Sequence, residues 1–126
     1  MIPLHSLRVG DLLRRPKGLF TQHVGLYAGN GYVFDNAPQR GQGLVSFSEF
    51  SQGHPVWAER TSLPPEVAVM RLRARLAKPQ PYALFTNNCE HAAFEVLQGK
   101  PSSPQLAAAL GGIALGLMIT LLLSET

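Results

Sequence analysis

Cys89 is the single cysteine of the chain, and it stands in Asn87-Asn88-Cys89-Glu90-His91, where a stretch of helical character begins. A thiol at a helix N-terminus feels the unpaired backbone N–H groups there, which favour the thiolate, the species that attacks carbonyl carbons. Such a nucleophile needs an imidazole to manage its proton and a third polar group to fix the tautomer and orientation of that imidazole. His23 and Asp35 fit these roles, so the candidate site is Cys89 as nucleophile, His23 as general base and acid, and Asp35 as the group that orients His23. His91 is nearer to Cys89 in sequence, but residues two apart on a helix project roughly 200° from each other, so His91 is assigned a structural role. His5 and His54 are read as surface residues. The backbone N–H of Cys89 is the expected donor to an oxyanion formed by thiolate attack. One cysteine with dispersed histidines gives no metal-ligand spacing, and no cofactor is implied. The competing reading is that Cys89 is an inert, buried small hydrophobe, as most free cysteines are.

The elements that would bring these residues together follow from local pattern. Val9 to Arg14 reads as a short strand, closed by Pro16-Lys17-Gly18. Gln22 to Tyr27 and Tyr32 to Asp35 read as two strands joined by Ala28-Gly29-Asn30-Gly31. The Asn-Gly pair favours the positive backbone angles of a tight hairpin, so the strands pair antiparallel. His23 and Asp35 then lie far from the turn and close across the ladder. Gly43 to Phe47 adds another strand, and Ser48-Glu49-Phe50 starts a turn or a single helical turn. In Glu66 to Leu76, Ala68, Met70, Leu72, Ala74 and Leu76 alternate with Arg71, Arg73 and Arg75, the pattern of a half-buried strand with a basic solvent face. Cys89 to Leu97 reads as a helix with Ala92, Ala93, Val96 and Leu97 on its apolar side and Gly99 as its C-terminal cap.

A chain of 126 residues suits one domain. Its charged fraction of 15% is low beside the roughly 25% of ordinary soluble chains. The deficit is concentrated in Leu106 to Leu123, LAAALGGIALGLMITLLL, which carries no charge and meets the short end of the roughly 17 to 25 residues that span a bilayer as a helix. The expected division is therefore a catalytic domain over 1–100, a linker over 101–105 and a transmembrane tail anchor over 106–123. The alternative for the tail is a buried Ala/Leu-rich core helix. Gly112 and Gly116 form a GxxxG spacing that would pair two such tails in a homodimer. The opening Met-Ile-Pro-Leu-His-Ser lacks an export signal and the single cysteine excludes an internal disulfide framework, so a single-pass protein with its catalytic domain on the cytoplasmic side is expected. The net charge of +3 is mild, and no nucleic-acid partner is expected.

His23-Val24-Gly25-Leu26-Tyr27-Ala28-Gly29-Asn30-Gly31-Tyr32-Val33, followed by Asn87-Asn88-Cys89-Glu90-His91, resembles the lecithin:retinol acyltransferase-like (LRAT domain) family. That family belongs to the NlpC/P60 group of papain-like thiol enzymes, in a permuted order with the histidine strand ahead of the cysteine helix. The likeness extends to Gly10-Asp11-Leu12-Leu13 and to Tyr82-x-Leu84, covering most of residues 9–99. It implies an α+β fold in which a small antiparallel sheet packs on the cysteine-bearing helix. It also implies a thiol acyltransferase or phospholipase A that acts on glycerophospholipid esters through an acyl-cysteine thioester, with a phospholipid substrate and a membrane as its partners. Members active on phospholipids commonly carry a second histidine where this chain has Asp35, and the usual Phe after Asn-Cys-Glu-His is Ala92 here. A carboxylate still accepts a hydrogen bond from the imidazole and favours its charged form. Two further readings stand beside this one: a thiol amidase or peptidase of the wider superfamily, and a non-catalytic membrane-associated protein that keeps the fold.

Overall fold

A computed structural model of the chain describes residues 3–19, 21–78, 80–84 and 87–111. Five strands form one antiparallel sheet: β1 (Leu12–Pro16), β2 (Gln22–Gly29), β3 (Tyr32–Ala37), β4 (Gly41–Ser46) and β5 (Trp57–Glu59). Their spatial order is β4-β3-β2-β1-β5. Among the described residues the sheet is accompanied by α1 (Phe47–Ser51) between β4 and β5, then α2 (Pro65–Ala77) and α3 (Cys89–Gln98). The architecture is the α+β arrangement expected, with helices on both faces of the sheet.

The two faces are built by the period-two alternation of the strands. Leu12, Val24, Leu26 and Phe34 project to the face covered by Leu72 of α2 and by Ala92, Ala93 and Val96 of α3. Leu13, Val33, Val45 and Ala58 project to the other face, onto Phe50 of α1. Covering on both sides explains why His23, Val24, Gly25 and Leu26 are all buried in succession rather than alternating with solvent. The hairpin between β2 and β3 turns as its sequence requires, with Asn30 at φ 54° and Gly31 at φ 81°. Helix α3 starts on the Asn88 cap and stops at Gly99, whose φ of 80° lets its N–H return to the carbonyl of Glu95.

Residues 65–77 are a helix and not the strand that alternation suggested. The buried positions are Ala68, Leu72 and Arg75, a four-then-three spacing that only a helix places on one face. Met70, on the supposed inner parity, is 62% exposed. Pro65 at the first helical turn and a run rich in Ala, Met, Leu and Arg favour this outcome. The expected basic solvent face is corrected with it. Arg75 is only 6% exposed, and Arg71 donates to the carbonyls of Val96 and Leu97 at the end of α3. Of the three, only Arg73 is exposed.

Most of the expected span 106–123, including Gly112 and Gly116, lies outside the described residues. Among the described residues no helix is long and apolar enough to cross a membrane. Residues 104–111 are helical. The preceding segment is not a loose spacer, because Ser103 is buried and both Ser103 and Gln105 hydrogen-bond to Glu90 of α3.

Candidate active site

The helix start that carries Cys89 is closed by its neighbours. The Asn88 side-chain oxygen accepts from the N–H groups of Glu90 and His91 at 2.9 and 3.0 Å. In return His91 Nδ1 accepts from the Asn88 N–H at 3.1 Å, completing a reciprocal cap. An acceptor nitrogen carries no proton, and His91 titrates below the ordinary imidazole range, chiefly through burial. His91 is thus a capping residue, consistent with the structural role read from its spacing.

Asn87, two residues before Cys89, is equally tied down. Ala83 and Asn87 exchange a pair of backbone hydrogen bonds at 3.0 and 2.7 Å. Asn36, wholly buried on β3, donates to the Asn87 carbonyl at 2.8 Å. Arg75 of α2 donates to the Asn87 side chain, pairs with Glu95 of α3 and donates through Nε to the Gln42 side-chain oxygen of β4. Sheet and both long helices therefore converge on the residues that aim Cys89.

His23 and Asp35 stand on the opposite side of the same opening. The paired register of β2 and β3 runs through Leu26↔Phe34, and continuing it sets Gly25 opposite Asp35, with His23 as the diagonal neighbour. His23 Nε2 lies 2.7 Å from Asp35 Oδ2 in a fully buried contact. The same carboxylate oxygen accepts from Arg40 at 2.7 Å. With Nε2 engaged, Nδ1 is the nitrogen left for the thiol, and His23 and Cys89 are close enough that each shifts the titration of the other. The Phe50 ring packs against the imidazole at 5.3 Å between centroids. Gly25 makes this approach feasible, because a Cβ there would sit 2.9 Å from the Phe50 ring and 2.9 Å from the Phe34 carbonyl oxygen.

Carboxylate, imidazole and thiol form one buried line of interacting groups, hydrogen-bonded between Asp35 and His23. No known family model and no curated protein matches this chain. What the line does chemically must come from its own electrostatics.

Cys89 is 4% exposed, and this burial, the largest single influence, pushes the thiol up. It is outweighed by the interactions with the His23 side chain and the Val24 backbone, the charge of His23 and the charge of Lys17, so the thiol ends below its ordinary value. For His23, burial again acts most strongly, disfavouring the imidazolium. The hydrogen bond to Asp35, the interaction with Cys89 and the charges of both overcome it and raise the imidazole above its ordinary value. The two shifts point toward each other, the direction of a thiolate–imidazolium pair. His5 and His54 are exposed and far from this pair in role, as read from sequence.

Several contributors were not singled out by sequence. Arg15 is buried and pairs in register with His23. It donates to the Phe50 carbonyl, lies over the Phe50 ring, and is attracted by Asp35 and Cys89, although burial lowers its own affinity for the proton. Its parity with Leu13 on β1 was the available signal, since a strand residue in step with a core leucine must face inward. Asn36 and Arg40 follow Asp35 closely but reveal their roles only through partners distant in sequence or across a turn.

A cleft of about 220 Å³ opens beside Cys89, lined in part by Lys17, Tyr82, Leu84, Leu106 and Ala109. A separate depression of about 320 Å³ between α2 and α3 is lined by residues that include Arg71, Arg75, Lys78 and Glu95, with no thiol, hydroxyl or imidazole among them. Among the described residues, no group of three His, Cys, Asp or Glu side chains is placed to hold a metal ion.

Proposed function

We propose that this protein is a thiol-dependent acyltransferase or phospholipase A that carries the acyl group of a glycerophospholipid ester on Cys89. The observation that carries the reading is the buried line from Asp35 through His23 to Cys89. The sequence likeness to the LRAT-domain family supports an ester of a phospholipid as the substrate, and the uncharged stretch 106–123 supports access to a membrane.

The thiolate of Cys89 attacks the ester carbonyl carbon, forming a C–S bond while the carbonyl π electrons move to oxygen. The N–H of Cys89, at the positive end of α3, donates to that oxyanion. Collapse breaks the C–O ester bond, and the His23 imidazolium protonates the departing alkoxide, which leaves as a lysophospholipid hydroxyl. Neutral His23 next takes a proton from water, or from an acceptor amine or alcohol, as that group attacks the thioester carbonyl. The thiolate departs with the electron pair of the C–S bond, and the thiolate–imidazolium pair returns. Asp35 holds His23 through Nε2 so that Nδ1 faces the sulfur during both proton transfers.

Phospholipid vesicles provide the test. The full chain releases fatty acid or transfers it to an amine, and Cys89→Ala loses both activities while retaining its fold. Activity that survives in Cys89→Ala contradicts the thiol mechanism; hydrolysis of a peptide or isopeptide bond without any ester turnover favours a thiol amidase instead.

A further inference from the structure

Residues 103–106 bind the neighbours of both Cys89 and His23. The Gln105 side-chain amide pairs with the backbone of Gln22, the residue before His23, accepting its N–H at 2.9 Å and donating to its carbonyl at 3.0 Å. This is the two-bond pattern by which one residue pairs with another in an antiparallel ladder, so Gln105 pairs with β2 at Gln22, beyond the part of β2 that is paired with β3. One oxygen of Glu90, the residue after Cys89, accepts from Ser103 Oγ at 2.8 Å and from the Gln105 N–H at 2.9 Å. Ser103 Oγ in turn accepts from the Asn88 side chain at 3.0 Å. A latch of neutral and charged hydrogen bonds therefore fastens the start of the helical residues 104–111 to the strand of His23 and the helix of Cys89.

The latch determines what the cleft offers a ligand. Its polar groups are spent on one another, so the wall beyond it is presented by Leu106 and Ala109, which are three apart and share a helix face. Leu84 and the Tyr82 ring line the cleft with them, and Cys89 lies within the same lining. Of the two groups on the carbonyl carbon that Cys89 attacks, the apolar acyl chain is the one that suits this apolar wall. The volume of about 220 Å³ accommodates roughly seven methylene groups, taking each as comparable to a water at about 30 Å³.

We infer that the helical residues 104–111 form the wall of an acyl-chain subsite, with Ala109 and Leu106 setting the chain accepted and Gln105 as the positioning residue that holds the wall against the site. This rests on the reading of Cys89 as the acyl carrier. It gives the stretch that follows the catalytic domain a part in substrate selection besides membrane attachment.

The full chain in mixed micelles, assayed with a series of otherwise identical esters from butanoyl to dodecanoyl, tests it. The expected kcat/KM rises by up to roughly fourfold per methylene, the worth of burying one CH₂, and flattens near an eight-carbon chain. Ala109→Trp fills the cleft and lowers the octanoyl-to-butanoyl ratio of kcat/KM at least tenfold; Ala109→Leu lowers it less. Gln105→Ala lowers the same ratio through KM for the longer ester, and Gln105→Glu, which keeps the acceptor for the Gln22 N–H but loses the donor, falls between Gln105→Ala and the natural chain. A ratio unchanged within twofold in both Ala109 variants, with Cys89-dependent hydrolysis intact, overturns the subsite. Absence of ester hydrolysis at every chain length, or hydrolysis that persists in Cys89→Ala, overturns the acyl-carrier reading itself, and the subsite falls with it.

Discussion

His23 Nε2 and Asp35 Oδ2 are 2.7 Å apart in a contact closed to solvent, with Arg40 on the same carboxylate oxygen. The carboxylate thereby fixes which imidazole nitrogen faces Cys89 and compensates the charge His23 gains. Replacing Asp35 by Asn keeps the shape and discards the charge, and leaves Arg40 without its anion. The expected loss in kcat/KM on phospholipid is on the order of 10² to 10⁴, comparable to the loss of orienting carboxylates in other triads. A steady-state comparison of Asp35→Asn with the natural chain measures it, and a loss below threefold removes Asp35 from the orienting role.

The opposed shifts of Cys89 and His23 set the pH response of the site. Cys89 ionises below the roughly 8.5 of a free thiol, and His23 holds its proton above the ordinary imidazole range, so both shifts favour the thiolate–imidazolium pair over the neutral pair. Iodoacetamide alkylation of Cys89 should follow a curve whose lower midpoint lies under that of a free thiol. In His23→Ala the imidazole's contributions vanish while burial, the largest influence on the thiol, remains. The midpoint should therefore move upward to or beyond the free-thiol value. For folding stability, the raised imidazole contributes fully below its unfolded midpoint of about 6.5 and loses that contribution as pH rises through the folded midpoint. The lowered thiol contributes above its unfolded midpoint and loses that contribution as pH falls through its folded one.

Gly25 is required by space and not by backbone angle. A methyl group there would meet Val33 Cγ1 at 2.8 Å as well as the Phe50 ring and the Phe34 carbonyl at 2.9 Å. Because Phe50 packs on His23, the strain reaches the imidazole. Gly25→Ala is expected to cost about 1–3 kcal/mol, the usual range for overpacking a filled core. Denaturant titration gives the stability change, and a lower alkylation rate at neutral pH would report the displaced His23.

These positions mark where the sequence was sufficient and where it was not. Asn30-Gly31 dictated the hairpin and hence the meeting of His23 with Asp35, because turn chemistry is local. Gly99 likewise marked the C-terminal end of α3. Residues 65–77 misled because Ala68 and Leu72 satisfy both a strand parity and a helical spacing, while alanine contributes too little apolar area to separate the two. The decisive fact, Arg75 turned inward to Asn87 and Glu95, is a tertiary contact that no local period encodes. Asn36 reaches Asn87 across 51 positions, and the three residues of β5 are too few to show a period. Gln105 read as part of a linker because its amide acts only once Gln22, 83 positions earlier, is folded beside it.

Acyl-Cys89 is the species on which the whole account depends. Intact-mass analysis of the full chain after brief incubation with phospholipid vesicles should show a mass increase equal to one acyl group less one hydrogen, localised to Cys89, removable by hydroxylamine and absent from Cys89→Ala. Turnover of the phospholipid with no adduct on Cys89 under acid quench, or an adduct that forms equally in Cys89→Ala, would contradict it.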